Sequence, residues 1–172
     1  EQEAQQYYKN LGYFDVKLNN LRRKIKNNYE EIEYFIDLNE RYIIDNIVEE
    51  IENKDLKEIY FDHLNNSFLK PGNPFITKSL EDERNRLFKL YRNNGVYNFQ
   101  ENSLQFIAKI DSSGIDKKIA IVLKINPIRK RNKDSLYEIP YRKFKINDID
   151  LFIESKGEED LGYEYQNNFG DF

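Results

Sequence analysis

A turn followed by a long amphipathic segment constrains the fold more than any other part of this sequence. The run Pro71-Gly72-Asn73-Pro74 interrupts any helix, because each proline fixes φ and lacks an N–H donor while glycine turns freely. After this run, apolar residues recur at helical spacing among charged ones as far as Gly95. The pattern predicts a helix over residues 80–91, ended by Gly95 in a left-handed conformation. Its apolar stripe contains Leu80, Leu87 and Tyr91, and it needs a sheet to cover.

The start of this helix is predicted from side-chain caps. Thr77 and Ser79 are candidate N-caps, and Ser79 with Asp82 is similar to a capping box. Residues 81–83 are all acidic, and negative charge is favourable at a helix N-terminus. We therefore interpret them as a charged first turn and not as a pair of catalytic carboxylates.

Alternation of apolar and polar residues predicts the strands, and two further patterns predict a bulge and a short helix. The polar pair Asp45-Asn46 shifts the alternation by one, as a bulge would, and a short amphipathic helix over 55–65 is capped by Asn53 or Asp55. Residues 126–141 show no periodicity and are interpreted as a linker or long loop. The predicted strands are 15–25, 29–39, 41–52, 104–110, 119–125 and 142–155, with a turn at 111–114 and a poorly ordered end over 157–172.

Composition excludes several classes of function. The net charge of -4 gives no electrostatic reason to expect nucleic acid as a partner. The absence of cysteine excludes disulfides, thiolate metal sites and thiol nucleophiles, and a single histidine, His63, makes a zinc site improbable. We expect no metal, no cofactor and no catalytic activity. The sequence also lacks methionine, which indicates an excerpt from a longer protein.

The chain contains an internal repeat. Residues 8–13 match residues 91–96, with Gly12 and Gly95 separated by 83 positions (95 − 12), and two alternating segments follow each copy. The next strand repeats as well, because Tyr42, Ile44, Ile47 and Ile51 correspond to Phe144, Ile146, Ile149 and Ile153. This period is too long for a solenoid and predicts a string of small domains. The boundaries we expect are 1–40, the C-terminal part of one domain with its second helix and two strands; 41–127, one complete domain; and 128–172, a linker and the first strand of a third.

At this point the sequence resembles the POTRA domains of the BamA/TamA family of outer-membrane assembly proteins, and most of all the divergent members of Bacteroidetes-type bacteria. The resemblance rests on the order strand-helix-helix-strand-strand, on residues 72–75 before the second helix, and on Leu87 to Gly95 at its end. Val96 departs from it, because an aromatic residue usually follows the glycine. The resemblance implies an α+β fold of tandem POTRA modules, each a three-stranded mixed sheet covered by two helices. It also implies a periplasmic location, with a membrane barrel outside this piece of chain.

The edge of the sheet is the candidate site. We expect the strand over 119–125 to be central, which leaves 104–111 at an edge where another extended chain can add. The resemblance implies that such an edge receives unfolded outer-membrane protein precursors or accessory assembly subunits. A groove between this edge and the helix is the alternative surface. The edge residues are Leu104, Phe106, Ala108, Lys109 and Ile110, with Asp111 beyond them; the groove residues on the helix are Arg84, Phe88 and Tyr91.

Two alternatives to a client-binding role stay open. The modules are also compatible with a passive scaffold or spacer that docks partner proteins, and with a TamA-like or two-partner-secretion translocator. The basic run over 129–131 is interpreted as part of a solvated linker and not as a site for lipid head groups.

Overall fold

A computed structural model describes residues 2–25, 29–110, 116–132 and 135–150. The turn predicted over 111–114, the last part of the predicted strand 142–155 and the segment 157–172 lie outside these residues. The helices are α1 (Gln2–Asn10), α2 (Lys54–Asp62) and α3 (Thr77–Asn93), with short 3-10 turns at Leu64–Asn66 and Glu101–Ser103. The strands are β1 (Lys17–Ile25), β2 (Tyr29–Asp37), β3 (Ile43–Glu50), β4 (Leu104–Ile110), β5 (Lys118–Ile125), β6 (Ile128–Asn132) and β7 (Ser135–Ile139).

The central sheet has three strands in the order β3-β5-β4. β3 runs parallel to β5, and β4 runs antiparallel to it. The register of β3 shifts between Ile44 and Ile47, so the bulge predicted from Asp45-Asn46 is confirmed. Together with α2 and α3 between β3 and β4, this sheet confirms the α+β fold with strand-helix-helix-strand-strand order and a central β5.

The helices cover one face of this sheet. Ile119, Ile121, Leu123 and Ile125 alternate along β5 and are all buried, which places them on the side that α2 and α3 occupy. Leu87 and Tyr91 of α3 are fully buried against this side. The predicted apolar stripe of the helix therefore forms the core of the complete unit.

The start of α3 differs from the prediction. The helix begins at Thr77, its N-cap is Ile76, and no side chain caps it, so the predicted caps at Thr77 and Ser79 are wrong. The Phe75 N–H donates to the Tyr42 carbonyl at 3.0 Å, and this long-range bond sets where the chain enters the helix. Residues 81–83 consequently lie in the second turn, and the interpretation of a charged first turn is wrong as well. At the start of α2, the Asn53 side chain accepts the Leu56 N–H, as predicted.

The segment predicted to be a linker forms a hairpin. β6 and β7 pair antiparallel, with Arg129 bonded to Glu138 at 3.2 Å. Ile128 and Tyr141 at its two ends are buried in the core that α2, α3 and β5 form. The residues paired in this hairpin show no regular alternation of apolar and polar side chains, so the sequence pattern did not reveal the hairpin. The next segment, residues 142–150, was predicted to be a strand and contains none, because it pairs with no other described strand.

Candidate polypeptide-binding edge

β4 has a hydrogen-bonded neighbour on one side only among the described residues. The phase of its pairing with β5 follows from the Asn126 N–H, which donates to the Ser103 carbonyl at 2.9 Å. In an antiparallel pair, residues that exchange bonds alternate with residues whose backbone groups point away from the partner. The backbone groups that face β5 therefore belong to Gln105, Ile107 and Lys109, and those that face outward belong to Leu104, Phe106, Ala108 and Ile110.

Arg84 already occupies the first outward carbonyl. Its Nη1 donates to the Leu104 oxygen at 2.6 Å, and its guanidinium lies 5.5 Å from the centre of the Phe106 ring. The bond confirms independently that the Leu104 carbonyl faces away from β5. The free part of the edge consequently begins at Phe106, and it includes two more of the predicted edge residues, Ala108 and Ile110.

Exposure increases along β4 in the same direction. The Leu104 side chain is buried in the core and Phe106 is half-buried, whereas Ala108 and Ile110 are exposed. Lys109 is exposed too, but its backbone faces β5 and its side chain lies on the face opposite to the helices. Lys109 therefore contributes a side chain beside the edge and no free backbone group. Asp111, its predicted acidic companion, lies outside the described residues.

The predicted groove on α3 is only partly present. Tyr91 is fully buried and packs on Phe99 with ring centroids 4.6 Å apart, so its assignment to an open groove is wrong. Phe88 is half-buried against the core, with the Arg92 guanidinium 5.3 Å from its ring centre. Arg84 is the groove residue that meets the edge. It borders a shallow depression of about 510 Å³ whose other lining residues are Gln100, Glu101 and Asn102.

The other edge of the sheet is partly covered. The turn over 72–75 lies along the first half of β3, where the Gly72 N–H donates to the Ile44 carbonyl at 2.7 Å and the Ile44 N–H donates to Asn73 at 2.8 Å. The bulge at Asp45-Asn46 follows directly. Covering loops and bulges both keep foreign strands from adding, so β4 offers the longer regular edge.

A buried charged cluster fixes α3, the helix beside β4, and the sequence analysis missed this cluster. Glu83 is 1% exposed and accepts two hydrogen bonds from Arg86, from Nε at 2.9 Å and from Nη2 at 2.6 Å. It also accepts from the Ser67 hydroxyl at 3.0 Å and from the Phe68 N–H at 2.9 Å. Burial lowers the pKa of Arg86, but the bonds and the charge of Glu83 outweigh it and raise that pKa. The spacing of three residues on a helix was the available signal.

No group of three histidine or acidic side chains in 2–25, 29–110, 116–132 and 135–150 is placed to hold a metal ion. The single histidine, His63, is bonded through Nδ1 to the Ile59 carbonyl at 3.0 Å. Over the same ranges, each helix is too short or too polar to traverse a bilayer.

No protein-family model and no curated protein matches this sequence. Among solved structures, the chain is similar to BamA from Haemophilus ducreyi lacking POTRA domains 1–3, with a TM-score of 0.42 and 14% identity over 76% of this chain and 23% of that one. It is also similar to Haemophilus influenzae BamA POTRA3–5, with a TM-score of 0.41 and 16% identity over 71% of this chain and 46% of that one. The chain thus spans less than half the length of either structure.

Proposed function

We propose that this chain is a periplasmic polypeptide-binding module of an outer-membrane protein that assembles β-barrel proteins. It receives unfolded precursors, or accessory subunits, as an added strand along β4. The observation that carries the proposal is the one-sided pairing of β4, with outward backbone groups at Phe106, Ala108 and Ile110. The resemblance of the sequence to POTRA domains supplies the biological setting.

Backbone pairing suits a receptor for many clients. A guest strand beside β4 bonds to the N–H and C=O groups of three outward residues, whatever its own side chains are. Its side chains alternate between the two faces of the sheet. On one face they meet Ala108 and Ile110, and on the other they meet Ile107, which is 37% exposed. These small or apolar neighbours fit the apolar positions of a barrel strand, which alternate in the same way.

A peptide titration tests the proposal. We expect a peptide with the sequence of a barrel strand to shift the backbone amide resonances of Phe106, Ala108 and Ile110 and to slow their hydrogen exchange. A peptide of the same length with proline at alternate positions cannot pair as a strand, and it should cause neither effect.

A matched pair of variants locates the binding edge. Ala108→Pro removes an outward N–H and spares the bonds of Ile107 and Lys109 to β5, whereas Ala108→Val keeps the N–H. We expect the proline variant to lose peptide affinity and the valine variant to keep it, with both folded by circular dichroism. Equal affinity of the two variants, or shifts confined to other strands, would refute binding at β4. A pull-down with the full-length protein tests the scaffold role. Capture of stable subunits without any unfolded client would favour that role instead.

A further inference from the structure

The two glycines that end α1 and α3 make the same long-range contact. Gly12 and Gly95 both have left-handed backbones, with φ of +93° and +89°. The Gly12 carbonyl accepts the Tyr42 N–H at 2.9 Å, and the Gly95 carbonyl accepts the Phe144 N–H at 2.8 Å. Tyr42 lies just before β3, the first strand of the complete unit, and Phe144 corresponds to it in the sequence repeat. One backbone bond thus recurs at equivalent positions of two successive units.

Neither glycine position has room for a side chain. A Cβ at Gly12 would lie 2.4 Å from the Phe75 carbonyl oxygen, and one at Gly95 would lie 2.6 Å from the Phe144 carbonyl oxygen. Both neighbours are backbone atoms, so a rotamer change cannot relieve the clash. Gly72 provides a contrast within the same chain, because its φ of +84° is similar and nothing lies within 4 Å of its Cβ position. The close approach is therefore specific to the two helix-ending glycines.

The surroundings of the two glycines share a basic side chain and differ in their aromatic contacts. A basic side chain precedes each N–H donor, with the Arg41 Cγ 3.4 Å from the Gly12 Cβ position and the Lys143 Cγ 3.1 Å from that of Gly95. At the first site the Arg41 guanidinium lies 5.4 Å from the Tyr13 ring centre, and its Nε donates to the Leu11 carbonyl at 2.7 Å. At the second site the Tyr97 and Phe144 rings pack edge to face, with centroids 4.8 Å apart.

We propose that each helix-ending glycine is a docking site for the beginning of the next unit's first strand, and that this contact fixes the orientation of successive units. The partner that the surface fits is an extended segment of the same chain, with a basic residue followed by an aromatic one. Its aromatic residue supplies the N–H to the glycine carbonyl. At Gly95 the backbone of that aromatic residue also lies where a side chain would otherwise stand, whereas at Gly12 the Phe75 carbonyl takes this place. An ion pair strengthens the first junction, since Lys117 beside β5 bonds to Asp15 at 2.7 Å.

Hydrogen exchange in the full chain tests the junction at Gly95. We expect Gly95→Ala to speed exchange of the Phe144 amide about tenfold or more, since it displaces the bonded backbone. Gly72→Ala is the matched control, because it carries the same cost of a left-handed alanine without the close approach. It should leave Phe144 unchanged, and both variants should keep slow exchange in the central strand β5. The same rate at Phe144 in the two variants, or faster exchange throughout β5, would overturn the proposal.

A second variant avoids any change in the glycine itself. Phe144→Pro removes the N–H that Gly95 accepts, together with the ring that packs on Tyr97, and changes no residue of the complete unit. We expect resonances of Gly95 and Val96 to shift and residues 145–149 to gain fast backbone motion in 15N relaxation. Unchanged relaxation over 145–149 would show that this bond does not hold the segment, and the proposal would be abandoned.

Discussion

Replacing Glu83 tests how the loop before α3 is held. Its carboxylate accepts hydrogen bonds from Arg86, Ser67 and the backbone of Phe68, as described above, and no solvent replaces them at 1% exposure. Glu83→Ala leaves the Arg86 guanidinium, whose side chain is 13% exposed, without its counter-charge. It also leaves the Phe68 N–H without its acceptor, whereas the Ser67 hydroxyl keeps the Leu69 carbonyl at 3.1 Å.

The expected loss follows from the burial of the pair. Removing one partner of a buried ion pair costs about 3–5 kcal/mol, because the other charge remains buried and uncompensated. Glu83→Gln keeps the volume and one oxygen but turns an amide toward hydrogen-bond donors, and we expect a smaller loss of about 1.5–3 kcal/mol. With a urea m-value of about 2 kcal/mol/M, Glu83→Ala should lower the unfolding midpoint by roughly 1.5–2.5 M.

Urea denaturation followed by circular dichroism measures these shifts. Asp82→Asn is the matched control, because Asp82 lies on the same helix turn and pairs with Lys78 at an exposed position. It should leave the midpoint essentially unchanged. The double variant Glu83→Leu with Arg86→Met should recover much of the loss, since an apolar pair of similar volume leaves no buried charge. A shift below about 0.5 M for Glu83→Ala, or no recovery in the double variant, would refute this account.

Two further predictions concern single groups. The hydrogen bond from Lys117 holds the pKa of Asp15 below its usual 3.8. The contact therefore stabilises the fold above the unfolded pKa, and this stability is lost as pH falls through the lowered folded pKa. A carboxyl 13C titration should show the lowered pKa, and Lys117→Gln should return it toward the usual value. The Tyr91 hydroxyl is buried and has no hydrogen-bond partner among the described residues, so Tyr91→Phe should raise the urea midpoint or leave it equal; a clear decrease would mean that the hydroxyl is bonded.

Patterns of apolar and polar residues predicted those helices, strands and bulges that a single segment of the sequence determines. The stripe through Leu87 and Tyr91 predicted α3, and the polar pair Asp45-Asn46 predicted the bulge in β3. The start of α3 was not predictable in this way, because a bond from Phe75 to Tyr42, far apart in the chain, decides it. The hairpin β6–β7 was missed for a related reason, since its basic strand is solvated and only its ends are buried.

The candidate site was predicted in outline only. Strand order alone indicated that β4 is an edge, but which of its residues face outward depends on a register that the sequence does not carry. The role of Arg84 at the Leu104 carbonyl depends on the same register. Tyr91 was assigned both to the apolar stripe and to the groove, and its complete burial decides between these assignments. The domain boundary near residue 40 stays a prediction, as does the third unit.

The turn over 72–75 limits how this sheet can grow. Because it lies along the first half of β3 and the bulge follows, β4 is the one long regular edge among the described strands of this sheet. A sheet that can be extended from one side alone accepts a single guest, or pairs once with another copy of itself. Unlimited side-by-side stacking of sheets needs two such edges, so this sheet can expose one edge without polymerising.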